Sequence, residues 1–150
     1  MTFVLGNTSL ANLVGVNRDL VAVVKQAIVL SPVDFGVHEG IRTIETQREY
    51  FRTGVSKTMN SKHLTGNAVD LVPYIDGKLR WEWEPIYSIA AAMAQAAGSM
   101  GVRLVWGGVW DRELNDYADD GIDAIRAAVA EYCIRHPGHD FLDGPHFQMA

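Results

Sequence analysis

Two short segments of this 150-residue chain concentrate the residue types that bind metals and move protons. The first, residues 61–70, places His63 and Asp70 on either side of a glycine, where a loop leads into a predicted strand. The second is Asp143-Gly144-Pro145-His146 near the C-terminus. Because Gly66 permits a tight bend, His63 and Asp70 can converge on one point. From these two residues alone, a surface histidine and an aspartate at a strand end remain the simpler interpretation.

A second histidine makes a metal site the stronger hypothesis. His63, Asp70 and His146 form a set of two imidazoles and one carboxylate, and catalytic zinc typically has three protein ligands and a fourth position for water. One carboxylate leaves a net charge of about +1, which preserves Lewis acidity and lowers the pKa of bound water. The alternatives are a hydrogen-bonded core histidine for His146 and turn chemistry for Asp143.

The order and spacing of these residues resemble a known family. The pattern SxHxxGxAxD at residues 61–70, followed downstream by DxxH at residues 143–146, is similar to the zinc D,D- and L,D-peptidases of the VanX/VanY (M15) group. It resembles still more closely the single-domain phage endolysins that are L-alanyl-D-glutamate endopeptidases. Residues 39–43 and the Trp106-Gly107-Gly108 stretch support the resemblance, because they stand in the expected order.

The resemblance implies a ligand set and a catalytic group. His63, Asp70 and His146 are expected to bind Zn²⁺, and Asp143 corresponds to the catalytic carboxylate. A hydrolase needs a base that takes the proton of water and an acid that passes it to the leaving amine. Asp143 lies three residues before a ligand, across a turn, so it can sit beside the metal without ligating it.

Three further residues have expected roles around this centre. Arg42 resembles the family arginine that faces the substrate, where it stabilises the developing oxyanion or holds a substrate carboxylate. The alternative for Arg42 is a surface ion pair with Glu45 or Glu49. Ser61 is expected to be an outer-shell or turn-stabilising hydroxyl, and Trp106 either lines the cleft or lies in the core.

The chain departs from the family pattern in two places. Val109 stands where relatives often have an acidic residue, and a long segment, 111–140, precedes Asp143. The segment lacks EF-hand spacing, so calcium is a weak hypothesis, and we expect a solvated acidic loop, a capped helix, and a wall or lid of the cleft. His136 and His139 flank a Pro-Gly pair, which indicates a helix-ending loop rather than a second metal. The acidic residues are Asp116, Asp119, Asp120 and Asp123.

Apolar periodicity predicts the elements that must position these residues. Helices are predicted at 17–31, 43–52, 85–100 and 120–135, and strands at 33–39, 68–74, 78–81, 102–106 and 146–149. Because the two types mix without a regular βαβ alternation, we expect an α+β domain with a small antiparallel sheet flanked by helices. The family resemblance implies the Hedgehog/D,D-peptidase fold.

Composition restricts the partners. There are 13 Lys and Arg against 18 Asp and Glu, a net charge of −5, without a basic stripe. Nucleic acid and stable membrane association are therefore not expected. Cys133 is the one cysteine, which excludes an intramolecular disulfide and a cysteine-rich zinc site, and we expect it to be buried on an apolar helix face. The N-terminal apolar segment lacks a basic n-region, so we expect no cleaved secretory signal.

These observations favour a zinc endopeptidase that cuts the L-alanyl-D-glutamate bond of peptidoglycan stem peptides, as a phage endolysin in host lysis. We expect a monomer in which residues 1–150 form one catalytic domain, without a separate wall-binding domain. It would accumulate in the host cytoplasm and reach the cell wall through a holin-type partner. The alternatives are a D-alanyl-D-alanine carboxypeptidase or dipeptidase, and a non-catalytic Hedgehog-like zinc-binding module.

Overall fold

Helices and short strands alternate along the chain in the computed structural model, which describes residues 2–138 and 141–150. The α+β architecture is the predicted one, whereas α1 and two 3₁₀ helices, Lys62–Thr65 and Leu114–Tyr117, were not predicted. None of the described helices is both long and apolar enough to cross a bilayer. The elements are α1 (Asn7–Asn12), α2 (Arg18–Leu30), β1 (Asp34–Glu39), α3 (Ile44–Thr53), β2 (Ala68–Ile75), β3 (Lys78–Leu79), α4 (Trp83–Met100), β4 (Leu104–Trp106), α5 (Gly121–Arg135) and β5 (His146–Met149).

The sheet is antiparallel and has the order β1-β2-β5-β4, with β3 paired to the far end of β2. Its register places Glu39 on β1 opposite Asp70 on β2, and Asp70 opposite His146 on β5. Neighbouring strands lie about 4.8 Å apart. Three residues that are distant in sequence therefore form one row across the sheet.

The helical layer fixes the buried face of this sheet. Helix α4 packs against α2, α5 and β2, and most of its side chains inside the core are alanines. Small side chains let neighbouring elements approach closely, so this stripe is core, as the sequence predicts. On β2 the alternation of side chains buries Val69 and Leu71 fully and leaves Asp70 on the other face. Asp70 therefore faces away from the helices.

The long segment after Trp110 packs against the helical layer. Helix α5 contacts α4 through a face that includes Ile125, Val129 and Tyr132. Cys133 lies next to this face in the helix and is exposed, so the expectation of a buried thiol is wrong. The error arises because each residue along a helix is rotated by about 100° from the one before it, which turns Cys133 away from the buried face.

The same segment does not cover the cleft. None of residues 111–138 lines it, so the expected wall or lid is not formed by this part of the chain. The C-terminal end of α5 is instead tied back by Asp111, which accepts hydrogen bonds from Arg135 at 2.8 and 2.9 Å and lies 2.9 Å from Nε2 of His136. Asp120 occupies the N-cap position of α5 without a side-chain capping bond. His139, considered above, lies outside the described residues.

Candidate active site

A cleft of about 520 Å³ opens over the polar row of the sheet. Its floor carries Asp70 and His146, and residues 55–61, which we call the wall, border one side. The rings of Trp81 and Trp110 also line the cleft. The cleft is large enough to hold a short segment of an extended chain.

Three of the residues singled out in the sequence meet at the cleft floor. Nε2 of His63 lies 3.2 Å from Oδ1 of Asp70, and Nδ1 of His146 lies 3.4 Å from the same oxygen. One ligand atom from each residue lies within 4.8 Å of the other two. Within residues 2–138 and 141–150, no other group of three or more His, Cys, Asp or Glu side chains converges in this way, the acidic residues of the 111–138 segment included.

The hydrogen bonds of His63 define its tautomer. Nδ1 of His63 lies 2.7 Å from the carbonyl oxygen of Gly40. A carbonyl oxygen can only accept, so Nδ1 carries the proton and the neutral ring presents the lone pair of Nε2 to Asp70. Two acceptors that face each other at 3.2 Å repel unless a proton or a metal cation lies between them. The pair can therefore share a metal ion in place of that proton.

The separations fit a tetrahedral metal. Two ligand atoms about 2.1 Å from Zn²⁺ at a tetrahedral angle lie about 3.4 Å apart. The measured separations of His63 Nε2 and His146 Nδ1 from the Asp70 oxygen are 3.2 and 3.4 Å. The donor set, two nitrogens and one oxygen without sulfur, is the type found in catalytic zinc sites. The residues present therefore fit zinc.

The charges within the triad favour an ionised carboxylate. Burial alone would raise the pKa of Asp70, but the hydrogen bonds and charges of His146 and His63 hold it well below its usual range. Burial alone would lower the pKa of His146, but its contacts with Asp70 raise it. A carboxylate must be deprotonated to bind a metal ion, and the lowered pKa of Asp70 favours this form.

A short 3₁₀ helix presents His63 to the cleft. Ser61 precedes this helix, and its Oγ accepts a hydrogen bond from the backbone N–H of His63 at 3.2 Å. Gly66 ends the helix with a φ of 73°, and a Cβ there would lie 2.5 Å from the carbonyl oxygen of Gly15. The Ser61 contact explains the serine two residues before His63. The glycine is required because a larger residue at position 66 would be strained and would clash with the backbone.

Asp143 is held beside the triad by backbone contacts with Gly107. The N–H of Asp143 donates to the Gly107 carbonyl at 2.9 Å, and the N–H of Gly107 donates to the His146 carbonyl at 2.8 Å. A Cβ on Gly107 would lie 2.0 Å from the Asp143 carbonyl oxygen, so only glycine allows this approach. Burial raises the pKa of Asp143, and the charge of Asp70 adds to this effect. The Asp143 carboxyl group therefore exchanges its proton nearer to neutral pH than an exposed aspartate does.

The guanidinium of Arg42 is engaged on two sides. Its Nε and Nη2 atoms donate to the two carboxylate oxygens of Glu39 at 2.5 and 2.9 Å, and Nη1 donates to Oε1 of Gln47 at 2.6 Å. Nη2 also lies 3.9 Å from Oδ2 of Asp70, and only 7% of the Arg42 side chain is exposed. The positive charge of Arg42 is thus fixed next to the triad.

The ion-pair partner of Arg42 differs from the two that the sequence suggested. Arg42 pairs with Glu39 rather than with Glu45 or Glu49, and Glu49 pairs with Arg52 instead. The strand bulge next to Glu39 explains the difference, because it turns this side chain towards the cleft. A bulge of one residue leaves no clear sequence signal.

Trp106 lies in the core, which is one of the two positions expected for it. The residue is 1% exposed, and its Nε1 donates to the Gly144 carbonyl at 2.7 Å. Trp110 lines the cleft instead, with its ring centre 5.3 Å from that of His146. Val109 is buried and takes no part in the cleft. A tryptophan four residues farther along a loop has no periodicity that reveals its orientation.

Two glutamines near the site were not singled out in the sequence. Gln47 is fully buried, and its Nε2 donates to Oγ of Ser56 at 2.9 Å and to the Thr58 carbonyl at 2.5 Å. Oε1 of Gln148 lies 2.9 Å from Nε2 of His146. The alternation of side chains along a strand could have identified Gln148, because residues i and i+2, here His146 and Gln148, lie on the same face.

Comparisons with known proteins identify the family of this chain. A family model described as phage L-alanyl-D-glutamate peptidase matches residues 1–130. A curated relative, the L-alanyl-D-glutamate peptidase of Escherichia phage T5, is 36% identical over 124 residues, which are 80% of this chain and 90% of the relative. The crystal structure of the Serratia marcescens L-Ala D-Glu endopeptidase ChiX matches with a TM-score of 0.75 and 36% identity, and the match covers all of this chain and 90% of that one.

The family match and the sheet register concern different segments of the chain. The family model ends before Asp143 and His146, whereas the sheet register brings His146 next to Asp70. The match to a family model over most of the chain, together with a relative of 36% identity, is sufficient to assign the family. The chain is a peptidase that belongs to the phage L-alanyl-D-glutamate peptidase family.

Proposed function

We propose that the protein is a zinc endopeptidase that hydrolyses the bond between L-alanine and D-glutamate in peptidoglycan stem peptides. The observation that carries the metal part is the convergence of three acceptors, His63, Asp70 and His146, on one point. The bond is the one named for the family and for both relatives described above. The cleft beside Asp143 supplies the space for a peptide substrate.

His63, Asp70 and His146 would hold the ion. A bound Zn²⁺ supplies a Lewis acid for the scissile carbonyl and lowers the pKa of a bound water. The backbone carbonyl of Gly40 keeps the proton of His63 on Nδ1 and so keeps Nε2 free as a ligand atom. Ser61 contributes indirectly, because its hydroxyl orients the start of the helix that carries His63.

Asp143 is the proposed general base and acid. Its carboxylate takes a proton from the attacking water as the new C–O bond forms at the L-alanine carbonyl carbon. It then gives this proton to the nitrogen of D-glutamate as the C–N bond breaks, and the leaving group departs as an amine. The raised pKa of Asp143 suits a group that must carry a proton between these two steps.

Arg42 is proposed to provide positive charge next to the developing oxyanion. Glu39 and Gln47 hold its guanidinium in one orientation, so this charge needs no reorganisation during the reaction. The same contacts weigh against a carboxypeptidase, because that activity needs a cation that is free to bind a terminal carboxylate. The presence of Asp143 in the cleft weighs against a purely binding module.

The biological role we propose is that of a phage endolysin. A single catalytic domain, acting as a monomer, would accumulate in the host cytoplasm and degrade the cell wall when a holin-type partner releases it. The net charge of −5 gives no electrostatic attraction to anionic membranes or nucleic acids, which fits a substrate in the wall.

Digestion of purified murein, with mass spectrometry of the fragments, tests the assigned bond. We expect glycan strands that retain L-alanine, and released peptides that begin with D-glutamate. The Asp143→Asn protein, prepared in the same way, controls for contaminating hydrolases. Release of D-alanine with an intact L-alanyl bond would assign the protein to the carboxypeptidases instead.

A further inference from the structure

We infer that Gln148 is a positioning residue that keeps the proton of His146 on Nε2 and so leaves Nδ1 free to bind the metal. The inference rests on the proposed zinc site and goes beyond it, because it concerns a residue outside the ligand set. His146 and Gln148 lie two positions apart on β5, so their side chains share one face of the sheet. Oε1 of Gln148 lies 2.9 Å from Nε2 of His146, on the side of the ring away from Asp70.

The two histidines are held in chemically different ways. His63 is held by the carbonyl of Gly40, a backbone group that can only accept a hydrogen bond. His146 is held by a side-chain amide, which accepts through Oε1 but would donate through Nε2 if it rotated by half a turn. The tautomer of His146 therefore depends on one replaceable side chain, and that of His63 does not.

The neighbouring carboxylate opposes the tautomer that zinc requires. Nδ1 of His146 lies 3.4 Å from Oδ1 of Asp70, a hydrogen-bond acceptor. Without another partner, a neutral imidazole places its proton on Nδ1 and points it at this carboxylate, where it blocks the metal. An acceptor at Nε2 moves the proton to the far side of the ring and exposes the lone pair of Nδ1. Gln148 supplies this acceptor.

Outer partners of this kind typically change metal affinity by about 10- to 100-fold. The test compares the zinc Kd of four proteins, measured by competition with a chromophoric chelator: the unmodified chain, Gln148→Met, Gln148→Glu and Gln95→Met. Methionine keeps the length of the side chain and removes the acceptor, whereas glutamate keeps an acceptor. Gln95 is an exposed residue of α4 and controls for the substitution itself.

We expect Gln148→Met to weaken zinc binding about 10- to 100-fold, and Gln148→Glu to bind zinc at least as tightly as the unmodified protein. Gln95→Met should bind normally. An unchanged Kd in Gln148→Met would overturn the inference. Equal weakening in the methionine and glutamate variants would overturn it as well, because only one of them lacks the acceptor.

A second readout needs neither activity nor metal. Nitrogen-15 NMR of the metal-free protein, recorded at a pH at which a titration shows the His146 ring to be neutral, reports which ring nitrogen carries the proton. We expect the proton of His146 on Nε2 in the unmodified and Gln148→Glu proteins, and on Nδ1 in Gln148→Met. The same tautomer in all three would overturn the inference. If the unmodified protein bound no zinc, the proposed function would fail, and the NMR result would still decide the role of Gln148.

Discussion

The floor of the cleft and the wall at residues 55–61 achieve their positions by different means. Asp70 and His146 lie on paired strands whose backbone hydrogen bonds and buried opposite face fix them. The wall is not part of a β-sheet. The buried Gln47 side chain links it to the rest of the protein by hydrogen bonds to Ser56 and Thr58. The positions of Asp70 and His146 therefore depend on the sheet itself. The position of the wall depends on single side chains, which can change without loss of the sheet.

Removal of a floor ligand should have the largest effect. We expect His146→Ala to reduce zinc from about one per chain to almost none, because two ligands do not hold a catalytic ion, and to abolish hydrolysis. Elemental analysis together with circular dichroism measures metal and fold. His136→Ala, at a histidine that does not line the cleft, is the control. Equal zinc in His146→Ala and the unmodified protein would remove His146 from the ligand set.

Asp143 lines the same cleft, and its replacement should separate chemistry from metal binding. We expect Asp143→Asn to keep zinc and fold and to lose about 10²–10⁴-fold in turnover, because the amide cannot accept the proton of water. Asp116→Asn, an exposed aspartate, should be fully active. A folded, zinc-loaded Asp143→Asn protein with near-normal turnover would exclude Asp143 as the base.

A change in the anchor of the wall should be milder. Gln47→Leu removes the acceptor of Arg42 and both donors to the wall, which costs about 1–3 kcal/mol of unfolding free energy through unsatisfied polar groups. We expect a loss of about tenfold in kcat/KM with zinc retained, since a loosened wall and a freer Arg42 position the substrate less well. Gln26→Leu on α2 is the control. Loss of zinc in Gln47→Leu would contradict the proposed independence of floor and wall.

The smallest effect is expected at Asp111, which does not line the cleft. The hydrogen bonds that Asp111 receives from Arg135 and, to a smaller extent, from His136 hold the pKa of its carboxyl group well below the usual range. Because the folded state favours the ionised form, this stabilisation is complete above the unfolded pKa of about 3.9 and is lost as the pH falls below it.

Asp111→Asn should therefore lower the free energy of unfolding at pH 7 by about 0.5–1 kcal/mol, as for partly exposed ion pairs. The difference should shrink as the pH falls through the acid range, and kcat should not change. Urea denaturation at several pH values and a hydrolysis assay check both parts. A difference that grew in acid would have the wrong sign for an ion pair.

Sequence reasoning succeeded where one local rule determines the position of a residue. The residue types of His63, Asp70 and His146, the Gly66 bend and the family resemblance together predicted a common site, and the structure brings the three side chains together. Gln47 was not found, because its partners lie on a loop without periodicity and meet it only after folding.

The errors have a similar origin. Cys133 was expected to be buried because its neighbours are apolar, but its angle around α5 decides its exposure. Arg42 was considered with acidic residues of the following helix, whereas a bulge in the preceding strand brings Glu39 to it. In both cases the direction in which one side chain points decided its exposure or its partner, and the composition of the segment does not determine that direction.

The pairing of β2 with β5 has a consequence for the order of events during folding. Asp70 and His146 are separated by half the chain, so their contact closes a long loop and should form late, after local helices. An incompletely folded chain then lacks the complete triad, so the proposed zinc ion would bind the native state more tightly than the unfolded chain. Added zinc would then raise the thermal midpoint of the whole protein, and resistance to heat would report how much metal the surroundings provide.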